Sequence, residues 1–234
     1  MKLRLKPLQL KQDPSTPSKK TLLFISYMLA QQGIALVYSL GGGLTYTGTI
    51  ALVISYVLGY IVINHCRSYN GTSSPLNKTV YKTVIIRVLE IFGTLFIWNV
   101  LYKNLILTGT IEQQSTNQQT INNFLSSPLS TAFIIFFTCV MAPFIEEFCF
   151  RYLFMFNNRT KTRMIISTIM FTLAHLIQQP LSTPVDVWFL YFGQYFIIGF
   201  WLGYNYYKNQ NYSQNVLIHA SWNVVSMSMI LLLG

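Results

Sequence analysis

The chain is expected to fold as an all-α, polytopic transmembrane bundle of about seven spans, with its N-terminus in the cytoplasm. Three observations carry this. Of 234 residues, 52% are hydrophobic and only 9% are charged, whereas a soluble domain carries about 25% charged residues. Several apolar runs reach the ~20 residues that cross a bilayer as a helix. Basic residues gather in alternate loops. A transmembrane β-barrel would show alternating segments of about ten residues, and these long runs do not alternate.

Residues 1–20 read as a basic cytoplasmic tail, with Lys2, Arg4, Lys6, Lys11, Lys19 and Lys20 ahead of the first apolar run. The tail is not expected to be a cleavable signal peptide, because a full span follows it and no small-residue cleavage site does. Spans are expected at about 21–40, 44–64, 83–107, 129–156, 160–178, 185–206 and 215–233. Gly41-Gly42-Gly43 reads as a turn between the first two. The fifth span has the shortest apolar part, about Met164–Ile177, and needs its basic flanks to snorkel. Segment 108–128, rich in Gln, Asn, Ser and Thr, reads as a flexible outer loop.

Charge orients the bundle. Arg67, Lys78 and Lys82, then Arg159, Lys161 and Arg163, then Lys208 fall in loops on the side of the N-terminus; only Lys103 goes against the pattern. By the positive-inside rule that side is cytoplasmic. The net charge of +10 is therefore a topology signal, with the bilayer as its partner and no nucleic acid expected. Three cysteines, Cys66, Cys139 and Cys149, without a C-x-x-C pair, give no disulfide framework and no zinc knuckle. The organisation is the 1–20 tail, N-terminal helices over 21–128, and a core over 129–234 that holds the chemistry.

That core contains six residues that hydrocarbon rejects: Glu146, Glu147, Arg151, His175, His219 and Asn223. Each charge at a helix centre costs about 2.5–3.5 kcal/mol. Glu147 and Arg151, four apart, share a helix face and pair. Glu146 points about 100° away, free for another partner and placed to act as a general base. A structural ion pair is the bland alternative, but it has no need of the second carboxylate. Phe171 lies one turn before His175 and can wall off its ring. His219 and Asn223, four apart, present two donors to one side, as an oxyanion site requires; interhelical hydrogen bonding is the bland alternative for them and for His175. Counted along the spans, all these residues fall in one slab near the middle of the bilayer.

Glu-Glu-x-x-x-Arg (146–151), Phe-x-x-x-His (171–175) and His-x-x-x-Asn (219–223), in that order, resemble the CAAX protease and bacteriocin-processing (CPBP, or Abi) family of intramembrane endopeptidases, over about residues 129–226. The resemblance implies that Glu146 activates water, His175 helps hold it, Glu147 and Arg151 shape the site, and His219 and Asn223 stabilise the oxyanion. It implies no cofactor and no metal, and a membrane-associated or lipidated peptide or protein as substrate. A bacterial plasma-membrane location and a role in bacteriocin self-immunity or peptide processing are further expectations.

Competing chemistries are weaker in the sequence. Zinc held by two histidines and a glutamate lacks the His-Glu-x-x-His helix. Cys149 as nucleophile needs a thiolate in apolar surroundings. Serine and aspartate intramembrane motifs are absent. A proton-coupled transporter would need interrupted helices in repeated halves. A non-catalytic immunity or scaffold protein that keeps these residues as structure is the main alternative.

Overall fold

The computed structural model describes residues 17–40, 46–68, 77–105, 115–125, 128–155, 160–177, 179–180 and 182–233. The basic tail up to residue 16, the Gly41-Gly42-Gly43 turn, Arg159 and residues 108–114 and 126–127 of segment 108–128 lie outside them. The described residues build α1 (Pro17–Leu40), α2 (Tyr46–Ser68), α3 (Lys78–Leu105), α4 (Thr116–Phe124), α5 (Pro128–Leu153), α6 (Lys161–Leu176), α7 (Val185–Asn209) and α8 (Tyr212–Leu233). All except α4 and α6 are long and apolar enough to cross a membrane. Large apolar side chains such as Leu22, Leu29, Val53, Ile61, Leu89, Phe96 and Leu232 are exposed. A water-soluble protein does not display apolar surface on this scale; a lipid-facing one must. The chain is a multi-pass membrane protein.

Two elements differ from expectation. Segment 108–128 contains a helix, α4. Ser115 caps it, accepting the Gln118 N–H at 3.2 Å, and Gln118 donates to Asn122 one turn on at 3.0 Å. Its apolar edge, Ile121 and Phe124, packs against Ile134, Cys139 and Met227. A polar average over the segment hides an edge two residues wide. The short α6 has 16 residues but is anchored: Arg163 donates to the Phe154 carbonyl at 2.9 Å, and α6 packs closely on α7.

That packing depends on glycine. A Cβ on Gly199 would stand 3.0 Å from the Phe171 ring, and one on Gly203 3.2 Å from Thr168 Oγ1. The Gly199–Gly203 pair thus serves packing inside the chain, as small residues do where membrane helices approach. On α3, Arg87 pairs with Glu90 at 2.5 Å and lies over the rings of Trp201 and Tyr204. Tyr204 of α7 also has the Lys208 ammonium 5.7 Å from its ring centre.

The helix that matters most, α5, is not a regular α-helix. Pro128–Phe136 and Ala142–Glu146 are α-helical, but Phe137–Met141 and Glu147–Leu153 are π-helical. Pro143 accounts for the first π turn. It has no N–H and its ring crowds the preceding turn. Ala142 N–H reaches back five residues to the Phe137 carbonyl. The Thr138 carbonyl then has no main-chain donor, since residue 143 is proline. Asn223 Nδ2 donates to it at 2.8 Å. Other α5 carbonyls also take side-chain donors: Phe144 from Tyr212 Oη at 2.7 Å and Phe150 from Ser167 Oγ at 2.5 Å. Wide turns at a functional site are a common use of π geometry.

The α3–α7 contact yields a test. Trp98 Nε1 donates to the Leu190 carbonyl at 3.1 Å, and the indole lies where a Cβ on Gly193 would stand, 2.1 Å from Trp98 Cζ2. Gly193→Ala must expel the ring and break that bond. Overpacking of this kind costs about 1–3 kcal/mol. The expected result is a clear fall in Tm of the detergent-solubilised protein, which Trp98→Leu in the same background should partly reverse.

Candidate active site

Glu147 has no exposed surface. Three side chains serve it. Asn215 Nδ2 donates to Oε2 at 2.5 Å. His219 Nδ1 lies 2.9 Å from Oε1; because a carboxylate only accepts, that nitrogen carries the hydrogen. Arg151 Nε lies 3.7 Å from Oε2. The pair read from the i,i+4 spacing is therefore present, but as one contact among three.

Arg151 is also fully buried. Its Nη2 donates to the Gly199 carbonyl at 3.2 Å, and its guanidinium lies 4.9 Å from the centre of the Phe171 ring. Arg151 thereby links α5 to both α6 and α7.

Glu146 is turned the other way, onto the wall of a cavity of about 510 Å³. Gln31, on α1, donates to Oε1 at 3.2 Å. Oε2 is buried and has no hydrogen-bond partner among the described residues. It lies 3.6 Å from His175 Nε2 and 3.8 Å from His219 Nε2. The structure thus brings Glu146, His175 and His219 together from three helices.

Each imidazole has a fixed orientation. His175 Nδ1 donates to the Phe171 carbonyl at 2.9 Å, since a carbonyl can only accept. In the neutral ring this leaves a lone pair on Nε2, facing Glu146. Phe171 packs on His175 with ring centres 4.3 Å apart, and Tyr195 covers it at 4.8 Å. Nε2 of His219 faces the same oxygen while Nδ1 is held by Glu147. Asn223 lines the cavity too, but one N–H of its amide is committed to Thr138.

The cavity leads from Glu146 toward the end of the bundle that carries α4. Asn99, Ser115, Gln118 and Gln194 line that part, and Gln194 donates to Asn99 at 2.7 Å. Lys19, Lys20, Lys78, Lys82, Lys161, Arg163 and Lys208 mark the starts of α1, α3 and α6 and the finish of α7, at the opposite end. Among the described residues no group of three His, Cys, Asp or Glu is placed to hold a metal ion. Cys149 Sγ is buried against the Phe24 carbonyl of α1, at 3.9 Å.

Sequence reasoning missed two residues. Asn215, fully buried, bonds Glu147 and the Leu202 carbonyl and accepts from Asn205 at 2.8 Å. The signal was present: Asn215, His219 and Asn223 continue one four-residue spacing. Gln31 is the other, a polar residue inside an apolar span.

Residues 128–225 match the family model described as "Type II CAAX prenyl endopeptidase Rce1-like". The match contains all six motif residues, and the resemblance to the CPBP family holds over this segment. At family level it is that of an intramembrane peptidase. No curated protein and no solved structure matches the chain.

The buried pair is open to a double-mutant cycle. Removing one partner leaves a charge without a counter-ion, at about 3–5 kcal/mol. Arg151→Met alone should lower unfolding stability in detergent on that scale. Glu147→Gln with Arg151→Met should cost less than the two single losses summed; simple additivity would dissolve the pair as an energetic unit.

Proposed function

We propose that this chain is an intramembrane endopeptidase that hydrolyses a peptide bond in a membrane-associated or lipidated peptide or protein, with Glu146 as general base. The observation that supports it best is the unpartnered Glu146 Oε2, buried on a cavity wall between two histidine Nε2 atoms at 3.6 and 3.8 Å. A buried carboxylate oxygen without a partner is costly. A water between these atoms would satisfy it, and is the nucleophile that the reaction needs.

In this mechanism Glu146 Oε2 takes a proton from the water. His175 Nε2, its other nitrogen tied to the Phe171 carbonyl, accepts the second hydrogen bond and fixes the water's direction. The oxygen adds to the scissile carbonyl. Charge developing on the carbonyl oxygen is met by His219 and by the free N–H of Asn223. To donate from Nε2, His219 must be imidazolium, and Glu147 against Nδ1 stabilises that cation, as a buried carboxylate does for a catalytic histidine elsewhere. Glu146 then returns its proton to the leaving amine as the carbon–nitrogen bond breaks.

The basic end of the bundle faces the cytoplasm of a bacterial plasma membrane in this reading, by the positive-inside rule. The α4 end and the polar part of the cavity then face the other side. Bacteriocin self-immunity or the processing of a secreted peptide is the physiological setting that we propose.

Purified wild type should cleave members of a panel of lipidated and unlipidated membrane peptides, and Glu146→Gln should lose at least about 100-fold in kcat, the lower range for removal of a general base. Cleavage should survive a chelator, and Cys149→Ala should keep it. Full activity in Glu146→Gln removes the base; loss with chelator moves the chemistry to a metal; loss in Cys149→Ala moves it to a thiol.

A further inference from the structure

Glu146 and Glu147 are neighbours with opposite surroundings. Glu147 is held by an asparagine, a histidine and an arginine. Glu146 receives one hydrogen bond among the described residues, from Gln31 Nε2 at 3.2 Å. Gln31 stands on α1, outside the segment 128–225 that carries the family match. It is buried, and it lines the same cavity as Glu146 and His175. Its Oε1 is buried and has no hydrogen-bond partner among the described residues.

A glutamine that only joined two helices would satisfy both ends of its amide, as buried polar groups do. This one satisfies the donor end on the base and leaves the acceptor end on the cavity wall. The donor is also neutral. A lysine or arginine in its place would hold Glu146 as an ion pair and weaken it as a base, whereas an amide N–H fixes the carboxylate without a charge.

We infer that Gln31 is a positioning residue for the reaction: its Nε2 holds Glu146 so that Oε2 faces His175 and His219, and its Oε1 accepts a backbone N–H of the bound substrate. This rests on Glu146 acting as the base. The site is then completed by α1, and the 128–225 core alone lacks the group that aims its nucleophile-activating carboxylate.

Gln31→Met keeps the length and removes both functions. Misplacing a catalytic group costs about 100-fold, so kcat on a fluorogenic prenylated CAAX peptide should fall by about that factor. KM should rise about fivefold for the one lost substrate hydrogen bond. Gln31→Glu sets a carboxyl against Glu146. As pH falls the two share a proton, and the introduced O–H replaces the amide N–H. Its kcat should therefore recover toward wild type on acidification, while Gln31→Met stays low at every pH. A purely structural glutamine would not produce that recovery.

A second readout needs no turnover: the infrared carboxylate band that disappears in Glu146→Gln should shift in Gln31→Met. An unmoved band, or kcat within twofold of wild type in Gln31→Met, or a Gln31→Glu profile parallel to Gln31→Met, overturns the inference. These leave the base intact so long as Glu146→Gln is inactive. An active Glu146→Gln removes the base itself.

Discussion

The charge on Glu147 is the constraint around which the core is arranged. A carboxylate with no exposed surface has exchanged its whole hydration shell for protein donors, and only close, well-placed partners offset that loss. The partners come from different elements. Arg151 belongs to the same helix; Asn215 and His219 come from α8. Each partner is tied further out, Arg151 to the Gly199 carbonyl and Asn215 to Asn205 and the Leu202 carbonyl on α7. Shifting α8 along α5 by one turn would separate Glu147 from two of its three partners. The relative height of α5, α7 and α8 is therefore set by one buried charge, and the height of His219 with it.

Two adjacent residues of one type consequently take unlike tasks. Glu147 is saturated and holds structure. Among the described residues, Glu146 keeps one oxygen without a hydrogen bond and holds its place through a single neutral donor. Stability alone would satisfy both. Sites that must react keep a polar atom available and depend on rigid surroundings to tolerate it. The surroundings here include irregular main chain. Pro143 breaks the α-helical ladder, Phe137–Met141 widens, and the Thr138 carbonyl is released to Asn223. The asparagine is thereby fixed on the cavity wall by a carbonyl that a regular helix would have used internally.

Much of this was legible in the residues, and the illegible part has physical reasons. Length and apolarity mark the six long helices, because a bilayer demands both. The convergence of Glu146, His175 and His219 could be read from depth along successive spans, since a helix rises by a fixed amount per residue. Helix α4 could not, because its amphipathic edge is only Ile121 and Phe124 within a polar segment. The first π turn had a local sign in Pro143, but the second, Glu147–Leu153, contains no proline to mark it. Gln31 carried too weak a signal: one amide in an apolar run is as often a helix-packing contact as a site residue. Asn215 was visible as a spacing, but its bond to Glu147 required the height at which α8 packs on α5 to be known.

The composition of the cavity bears on what it will accept. Apart from Glu146 and the two histidines, the polar side chains that line it among the described residues carry no charge: Gln31, Asn99, Ser115, Gln118, Thr138, Gln194, Asn223 and Ser226, with the polar edges of Tyr195 and Trp222. Amides and hydroxyls replace the hydrogen bonds that an extended peptide main chain loses on leaving water, and they do so for any sequence. They do not replace the hydration of a charged side chain, which would enter a low-dielectric space without a counter-ion. In the proposed reaction, a lysine near the scissile bond would meet Glu146 as the one acidic residue lining the cavity among the described residues, and would bind by neutralising the base. An acidic residue would be repelled by it. Under the proposed mechanism, discrimination against charge therefore follows from the placement of Glu146, which among the described residues has only the two histidines as basic groups within 4 Å.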